Sequence, residues 1–417
     1  MPAIAILALL LLFFASVAPL GAQESDEAVP TTRGQQLLGC AREPNPEVRY
    51  KDCTALIESG AAVDKTLALI YLNRANALDQ MRRSKDALAD YAESIKLNPD
   101  DASVYYNRAI AYEHLKEPEK ALADYAKAIE VDPKYETAYV NRGVLLNAMG
   151  EHERAIRDFN TAAVLAPNAP LVYQNRGNAY EALGEHKKAL EDYDKAVALE
   201  PKSAGTHYSR GVVRMELGEH DKALADFNTA LKLDPTMTEA LESRGILEFQ
   251  AGNKAAAFKD FEAVLEKEPK NRIALTAMAD AAMGDDDWKK AVDYLDRLLS
   301  EAPKDGPAYN DRAWAYFNMG ELTKALPDAN KAITLSPGNG HIHDTRGWIL
   351  CRDGAEENAR ADFDEALKLG APDAKDFQRR LRKAGYYKGK IDGAFGRGSK
   401  AALDEWIDAK CPEEPAG

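Results

Sequence analysis

The residues of this chain with the plainest chemical purpose are amides and guanidinium groups set side by side. Asn-Arg followed by a small residue occurs at Asn73-Arg74-Ala75, Asn107-Arg108-Ala109, Asn141-Arg142-Gly143 and Asn175-Arg176-Gly177, each 34 residues after the one before. A side-chain amide donates and accepts at once, so it can pair with a peptide backbone whatever the sequence of that peptide. A guanidinium group instead seeks a carboxylate. Asp90, Asp124, Asp158, Asp192, Asp226, Asp260, Asp328 and Asp362 each stand sixteen residues after an Arg, because Arg210, Arg244, Arg312 and Arg346 continue the series. It breaks once: Met278 replaces the Arg, and Tyr294, sixteen residues on, replaces the Asp. Losing both in the same stretch marks them as a pair, since either one alone, half-buried, would be costly. Pairing with the Asp one period earlier would set Arg74 opposite Leu56 and Arg312 opposite Tyr294. The expected pair therefore lies within one period, and its role is structural.

Other reactive groups assemble into less. His152, His186 and His220 recur every 34 residues in Gly-Glu-His triplets, one period apart and so too far from each other to share a metal. His341 and His343 could give two ligands, but no Cys or carboxylate pattern completes a site. No nucleophile, base and orienting group fall together, and no dinucleotide, phosphate-loop or zinc spacing is present. A chain without enzymatic activity, metal or cofactor is expected. Lys and Arg number 54 against 68 Asp and Glu, a net charge of −14; nucleic acid is not an expected partner.

The elements that must position these groups follow the same clock. Pro recurs at Pro99, Pro133, Pro167, Pro201, Pro235, Pro269, Pro303 and Pro337. Within one period Tyr105, Ala109 and Tyr112 fall at helical spacing, and Ala121, Tyr125 and Ala128 do so on a second helix that Pro133 ends. Each helix has one apolar stripe, and one pair cannot bury both, so pairs must stack. At 45% hydrophobic and 8% aromatic residues over 417 positions, the composition suits an elongated helical array. These residues resemble the tetratricopeptide repeat (TPR) family. The resemblance implies an all-α, right-handed superhelical solenoid of about nine to ten helix-turn-helix repeats. A degenerate capping repeat is expected at 34–67 and nine repeats at 68–373, with the seventh the poorest match. Pro327 falls inside a second helix, where a kink or a late helix start is expected.

The resemblance also assigns the amides. In the TPR register the Asn faces the concave groove, and Asn73, Asn107, Asn141 and Asn175 resemble the asparagine ladder of the TPR region of O-linked N-acetylglucosamine transferases, four rungs that would grip a protein or extended peptide. The alternative is that they bond only to neighbouring helices or water. Ser209, Ser243, Ala277, Asp311 and Thr345 weaken or end the ladder, and there the groove would instead offer Trp314 and Trp348 as apolar anchors.

The two ends suggest a location. Residues 1–22 read as a secretory signal, with an apolar run from Ala3 and cleavage after Ala22, followed by a linker at 23–33. No Lys or Arg precedes the run, so an uncleaved N-terminal anchor is the alternative. Four cysteines allow three connectivities. In the repeat register Cys40 and Cys53 lie on the two helices of the capping repeat, and because a solenoid keeps its ends apart, Cys40–Cys53 with Cys351–Cys411 is the favoured set. Four reduced cysteines are the alternative.

Beyond the last repeat, Gln378, Leu381, Gly385, Tyr386, Asp392, Gly393, Phe395, Gly396, Ala402 and Leu403 resemble the peptidoglycan-binding domain family. Ser399 stands where Thr is usual, and Trp406-Ile407 replaces the usual Phe-Gln. The family's preceding helix is missing, so this module at 374–411 is expected to dock on the ninth repeat and cap it, followed by a tail at 412–417. Residues 373–411 carry ten Lys or Arg and six Asp or Glu, a basic patch suited to an anionic polymer. Tyr386, Tyr387, Lys388, Asp392 and Arg397 are the candidates to touch the cell wall; a plain solvated cap is the alternative. The expected protein is an exported, periplasmic scaffold, free of the membrane once its signal is cleaved. An accessory subunit or regulator of a cell-wall enzyme, or an enzyme with an unrecognised site, are the rivals.

Overall fold

The computed structural model describes residues 32–412, and among them it contains twenty-two α-helices and no strand. The expected leader at 1–22 lies outside the described residues. The chain divides into two compact units, residues 1–145 and 146–417, with the boundary inside one first helix (Glu136–Ala148). Within each unit, helix-turn-helix pairs stack in sequence order.

The first unit opens with α1 (Arg33–Arg42) and α2 (Pro46–Glu58), joined by the expected Cys40–Cys53 disulfide. Thr32 starts α1 with a capping box: its hydroxyl accepts from the Gln35 N–H while the Gln35 side chain accepts from the Thr32 N–H. Eighteen helices follow, in nine pairs from α3 (Asp64–Gln80) with α4 (Ser84–Leu97) to α19 (Gly340–Asp353) with α20 (Glu356–Lys368). The third helix starts at Asp64, four residues ahead of the expected boundary at 68. The two helices of a repeat meet through small residues: in the second repeat Ala109 and Ala121 are fully buried with Tyr125. Where Gly fills that place the approach is closer still. A Cβ on Gly211 would lie 2.7 Å from the Phe227 ring.

The turn between the helices of a pair needs one residue with positive φ, and this too keeps the 34-residue clock. Gly150, Gly184, Gly218, Gly252, Gly320 and Gly354 supply it without strain, while Arg82, Lys116 and Asp286 adopt it with a Cβ, at φ of 57 to 61°. Pro327 does not delay its helix. The second helix of the eighth repeat runs Leu322–Leu335, in register with Trp288–Glu301 of the seventh, and continues through the proline.

The second unit ends with α21 (Ala374–Lys383) and α22 (Arg397–Asp408), which dock on the ninth repeat. Phe377, Leu381, Trp406 and Ile407 are fully buried in one core with Trp348, Ile349 and Phe363 of that repeat. The Cys351–Cys411 disulfide spans the junction, so both favoured disulfides are present. Arg380 adds a bidentate pair with Asp344, at 2.6 and 2.8 Å. The apolar faces of these two helices are thus completed by the repeat in front of them, which replaces the missing helix.

Candidate functional site

In seven repeats the Arg of this register is fixed by the Asp sixteen residues later. Arg74, Arg108, Arg176, Arg210, Arg244, Arg312 and Arg346 each set Nε and Nη2 against both oxygens of that carboxylate, at 2.6 to 3.0 Å. The acids, Asp192 and Asp260 among them, are buried. Sequence reasoning missed the other end of the fork. Nη1 of Arg176, Arg210, Arg244, Arg312 and Arg346 donates to Asn160, Asp194, Asn228, Asp296 and Asn330 on the preceding second helix. Each of these five guanidinium groups therefore closes its own repeat and ties it to the one before. The signal was available, since those partners also stand sixteen residues away, on the other side. In the seventh repeat Met278 and Tyr294 are 3% and 8% exposed and share one apolar core. Hydrophobic contact there replaces the ion pair.

The amides have a less uniform setting. Asn73, Asn107, Asn141 and Asn175 are all half-buried in the same register of their helices. Asn141 donates to the Tyr106 hydroxyl of the preceding repeat at 2.9 Å, so this rung also joins helices. Burial, more than neighbouring charge, pushes the Tyr106 phenol up. The side chains of Asn73, Asn107 and Asn175 make no hydrogen bond among the described residues.

Farther along, the structure corrects one anchor. Trp348 is 7% exposed: Trp406 meets it edge-on at 4.8 Å and the Arg380 guanidinium lies 5.3 Å from its ring. It is covered because the C-terminal module has filled that stretch of first-helix surface. Trp314, half-buried, stacks on Phe317 at 5.2 Å and remains partly open.

A depression of about 350 Å³ lies between the first helices of the sixth and seventh repeats (α13, Thr238–Gln250; α15, Arg272–Gly284). Ile246, Phe249, Ile273 and Ala277 give it an apolar lining, and Asp280 stands at its rim. One repeat on, Asp311 occupies the Asn register, and its carboxyl is pushed up to about 6 by burial, with the Asp280 charge adding to the effect. Burial also raises Asp280. Sequence reasoning recorded Asp311 only as a broken rung; the desolvation that makes it notable depends on its neighbours in space.

In the C-terminal module Gln378 is fully buried and organises the loop. Its amide donates to the Ala394 carbonyl and the Ser399 hydroxyl, both at 3.1 Å, while its carbonyl accepts from the N–H groups of Asp392 and Gly393. Asp392 accepts from the Ala394 N–H, which together with Gln378 holds its carboxyl below the usual range. The Tyr387 hydroxyl donates to the Lys390 carbonyl. These two candidates are thus engaged inside the loop. Lys388 and Arg397 are exposed and Tyr386 is half-buried. Arg397 and Lys400 border a depression of about 510 Å³ beside Phe395.

The histidines do not gather. His343 sets its ring nitrogens against Asp362 and the Pro337 carbonyl, and His207 does the same with Asp226 and Pro201. Among the described residues no group of three or more His, Cys, Asp or Glu is placed to hold a metal ion, and no helix is long and apolar enough to cross a membrane.

Comparison with known proteins gives this arrangement its relatives. Residues 68–101 and 136–168, 102–135 and 170–203, 213–282, and 276–340 match models of the tetratricopeptide repeat. Residues 370–406 match the family described as "Putative peptidoglycan binding domain". Solved structures similar to the chain include a tetratricopeptide repeat protein from Parabacteroides merdae, at 29% identity over 56% of this chain and 93% of that one, with a TM-score of 0.41. YrrB, described as a TPR protein with an unusual peptide-binding site, is 26% identical over 45% of this chain and 96% of its own, with a TM-score of 0.40. PilW, a type IV pilus biogenesis factor, is 18% identical over 50% and 97%, with a TM-score of 0.46. No curated protein sequence matches. With the repeat models covering most of residues 68–340 and paired helices throughout that span, the chain belongs to the tetratricopeptide repeat family, and its residues 370–406 resemble the putative peptidoglycan-binding family.

Proposed function

We propose that the chain is an exported, periplasmic scaffold without catalytic activity. Its first-helix groove holds a protein or extended peptide, and its C-terminal module tethers it to peptidoglycan. The observation that carries this reading is the docking of the wall-binding-like module into the ninth repeat through a shared core, a disulfide and the Arg380–Asp344 pair. A module built into the array in this way places any partner held by the nearby repeats at the wall. Two disulfides support an oxidising compartment. Asn73 and Asn107 in the first unit and Asn175 in the second carry amides that make no hydrogen bond among the described residues and are available to a peptide backbone, and Trp314 in the second unit adds an apolar surface.

Truncating the module is a poor test, because it would strip Trp348 and Phe363 of their cover. Co-sedimentation of the full chain with purified sacculi is better, with Lys388→Glu plus Arg397→Glu as the variant. Binding by the native chain and its loss in the variant, with an unchanged melting temperature, supports the tether; no binding by the native chain removes it. Crosslinking in cell envelopes then tests the scaffold. A captured protein whose yield falls in the Asn73→Ala, Asn107→Ala, Asn175→Ala variant supports the groove. Hydrolysis of peptidoglycan fragments by the purified chain would overturn the non-catalytic reading.

A further inference from the structure

The groove over the sixth to eighth repeats has an apolar floor beside two acids that have no cationic partner. Phe249 and Ile273 are 37% and 45% exposed at the depression, which no other part of the described chain covers. Asp280 makes no ion pair among the described residues, and Asp311 accepts one hydrogen bond, at 3.3 Å, from the neutral amide of Asn310. Elsewhere along the array the Asp carboxylates of the second helices are matched by arginines, and Glu113 and Glu181 accept from the Tyr125 and Tyr193 hydroxyls. The seventh repeat has lost its Arg to Met278, and Arg272, which also lines the depression, is committed to Asp305 at 2.5 Å.

The same surface one repeat farther on shows what it accepts. On α19, Asp344 lies four residues before Trp348, and the module's Arg380 sits across both, its guanidinium paired with the carboxylate and 5.3 Å from the indole ring. On the first helix of the eighth repeat (Gly306–Asn318), Asp311 lies three residues before Trp314, on one face of the helix. This second acid-and-tryptophan pair has no arginine over it. The chain thus holds one acid-and-tryptophan pair filled by a cation and, one repeat earlier with its acid one register position later, a second pair with none, next to Asp280 and the apolar depression.

We propose that the groove of repeats six to eight docks an extended peptide segment bearing an arginine or lysine on Asp280 and Asp311 beside Trp314, with a nearby aliphatic or aromatic residue seated on Ile246, Phe249 and Ile273. This rests on the scaffold reading above and names the chemistry of its partner. The charge match does two things at once. It offsets the repulsion and desolvation the two acids carry in the free protein, and it selects against acidic segments. It also makes the interaction sensitive to salt and to acid, because protonating Asp311 removes half of the seat.

The test is fluorescence polarisation with the full chain and short acetylated, amidated Gly/Ser peptides that carry one Arg and one Leu at varied spacing. Control peptides have Glu for Arg, or Ser for Leu. The Arg/Leu peptides should bind, either control should bind roughly tenfold or more weakly, and Asp280→Asn plus Asp311→Asn should reproduce the loss of the Arg. Ile273→Ser should reproduce the loss of the Leu. The Asn variants relieve repulsion, so a retained or raised melting temperature separates lost binding from lost fold. Peptide binding indifferent to Asp280 and Asp311, but abolished in the Asn73→Ala, Asn107→Ala, Asn175→Ala variant, overturns this site and leaves the scaffold standing. No binding by any peptide of the set also overturns it, and the envelope crosslinking decides the scaffold separately.

Discussion

The seventh repeat and its neighbours solve one packing problem by different physics. In the sixth and eighth, Arg244–Asp260 and Arg312–Asp328 cross the two helices as bidentate ion pairs, and each guanidinium also reaches the preceding repeat, at Asn228 and Asp296. In the seventh, Met278 and Tyr294 fill the same places inside an apolar core. Glu262, which stands where other repeats offer Nη1 its acceptor, is exposed. Buried pairs of this kind contribute little net stability relative to well-packed apolar groups, but breaking one strands a charge. What the ion pairs add is direction: a fork with partners on both sides fixes how one repeat follows another, whereas a Met–Tyr contact does not.

The largest expected effect comes from making a neighbour half like the seventh. Arg244→Met alone should destabilise by about 3–5 kcal/mol, because Asp260 stays buried without its partner, whereas Arg244→Met with Asp260→Tyr should recover more than half of that in urea denaturation. Additive losses would break the comparison. The reverse experiment is next in size. Met278→Arg alone should cost about 2 kcal/mol or more by placing an unpaired cation in that core, and adding Tyr294→Asp should restore most of it.

Asp311 sharpens the contrast at the boundary between the seventh and eighth repeats. Its carboxyl titrates at about 6, against an ordinary value of 3.8, so between those values the folded chain holds a proton that the unfolded chain has released. Stability should therefore fall as pH rises through that window. Asp311→Asn should stabilise by roughly 1–3 kcal/mol at pH 7.5, reduced by solvent screening of a half-buried group, and by almost nothing at pH 3.5. A melting difference independent of pH would mean that the carboxyl is not desolvated. The smallest effect concerns the turn, where the seventh repeat uses Asp286 at φ 57° and its neighbours use Gly252 and Gly320. Asp286→Gly should raise stability by only about 0.5 kcal/mol, since relief of strain is partly offset by the flexibility glycine adds to the unfolded chain.

Much of this was legible from spacing alone. The 34-residue clock specified the paired helices, the Pro at their ends and the Arg–Asp partners. These interactions are either local or repeat identically, so a periodic sequence must satisfy them periodically. The binding surfaces were less legible. The register placed Asn141 with Asn73, Asn107 and Asn175, but whether its amide is free depended on Tyr106, a residue whose counterpart in the next repeat is Val140. The late helix start that was one expectation at Pro327 does not occur, because a proline deep in a helix removes one hydrogen bond without preventing the first turns from forming in register.

By itself, then, the sequence determined what repeats: the hairpin, its apolar stripes, the small residues where helices approach, and the charge partner sixteen residues away. Only the tertiary structure decided which equivalent positions stay open. Trp314 and Trp348 are the same residue one period apart, yet the second is sealed under Trp406 and Arg380 while the first keeps part of its face in solvent. The reason is that exposure is set by what packs from outside the repeat. A non-repeating segment, whose own small core could close only against the ninth repeat, covered one site and left its neighbour free.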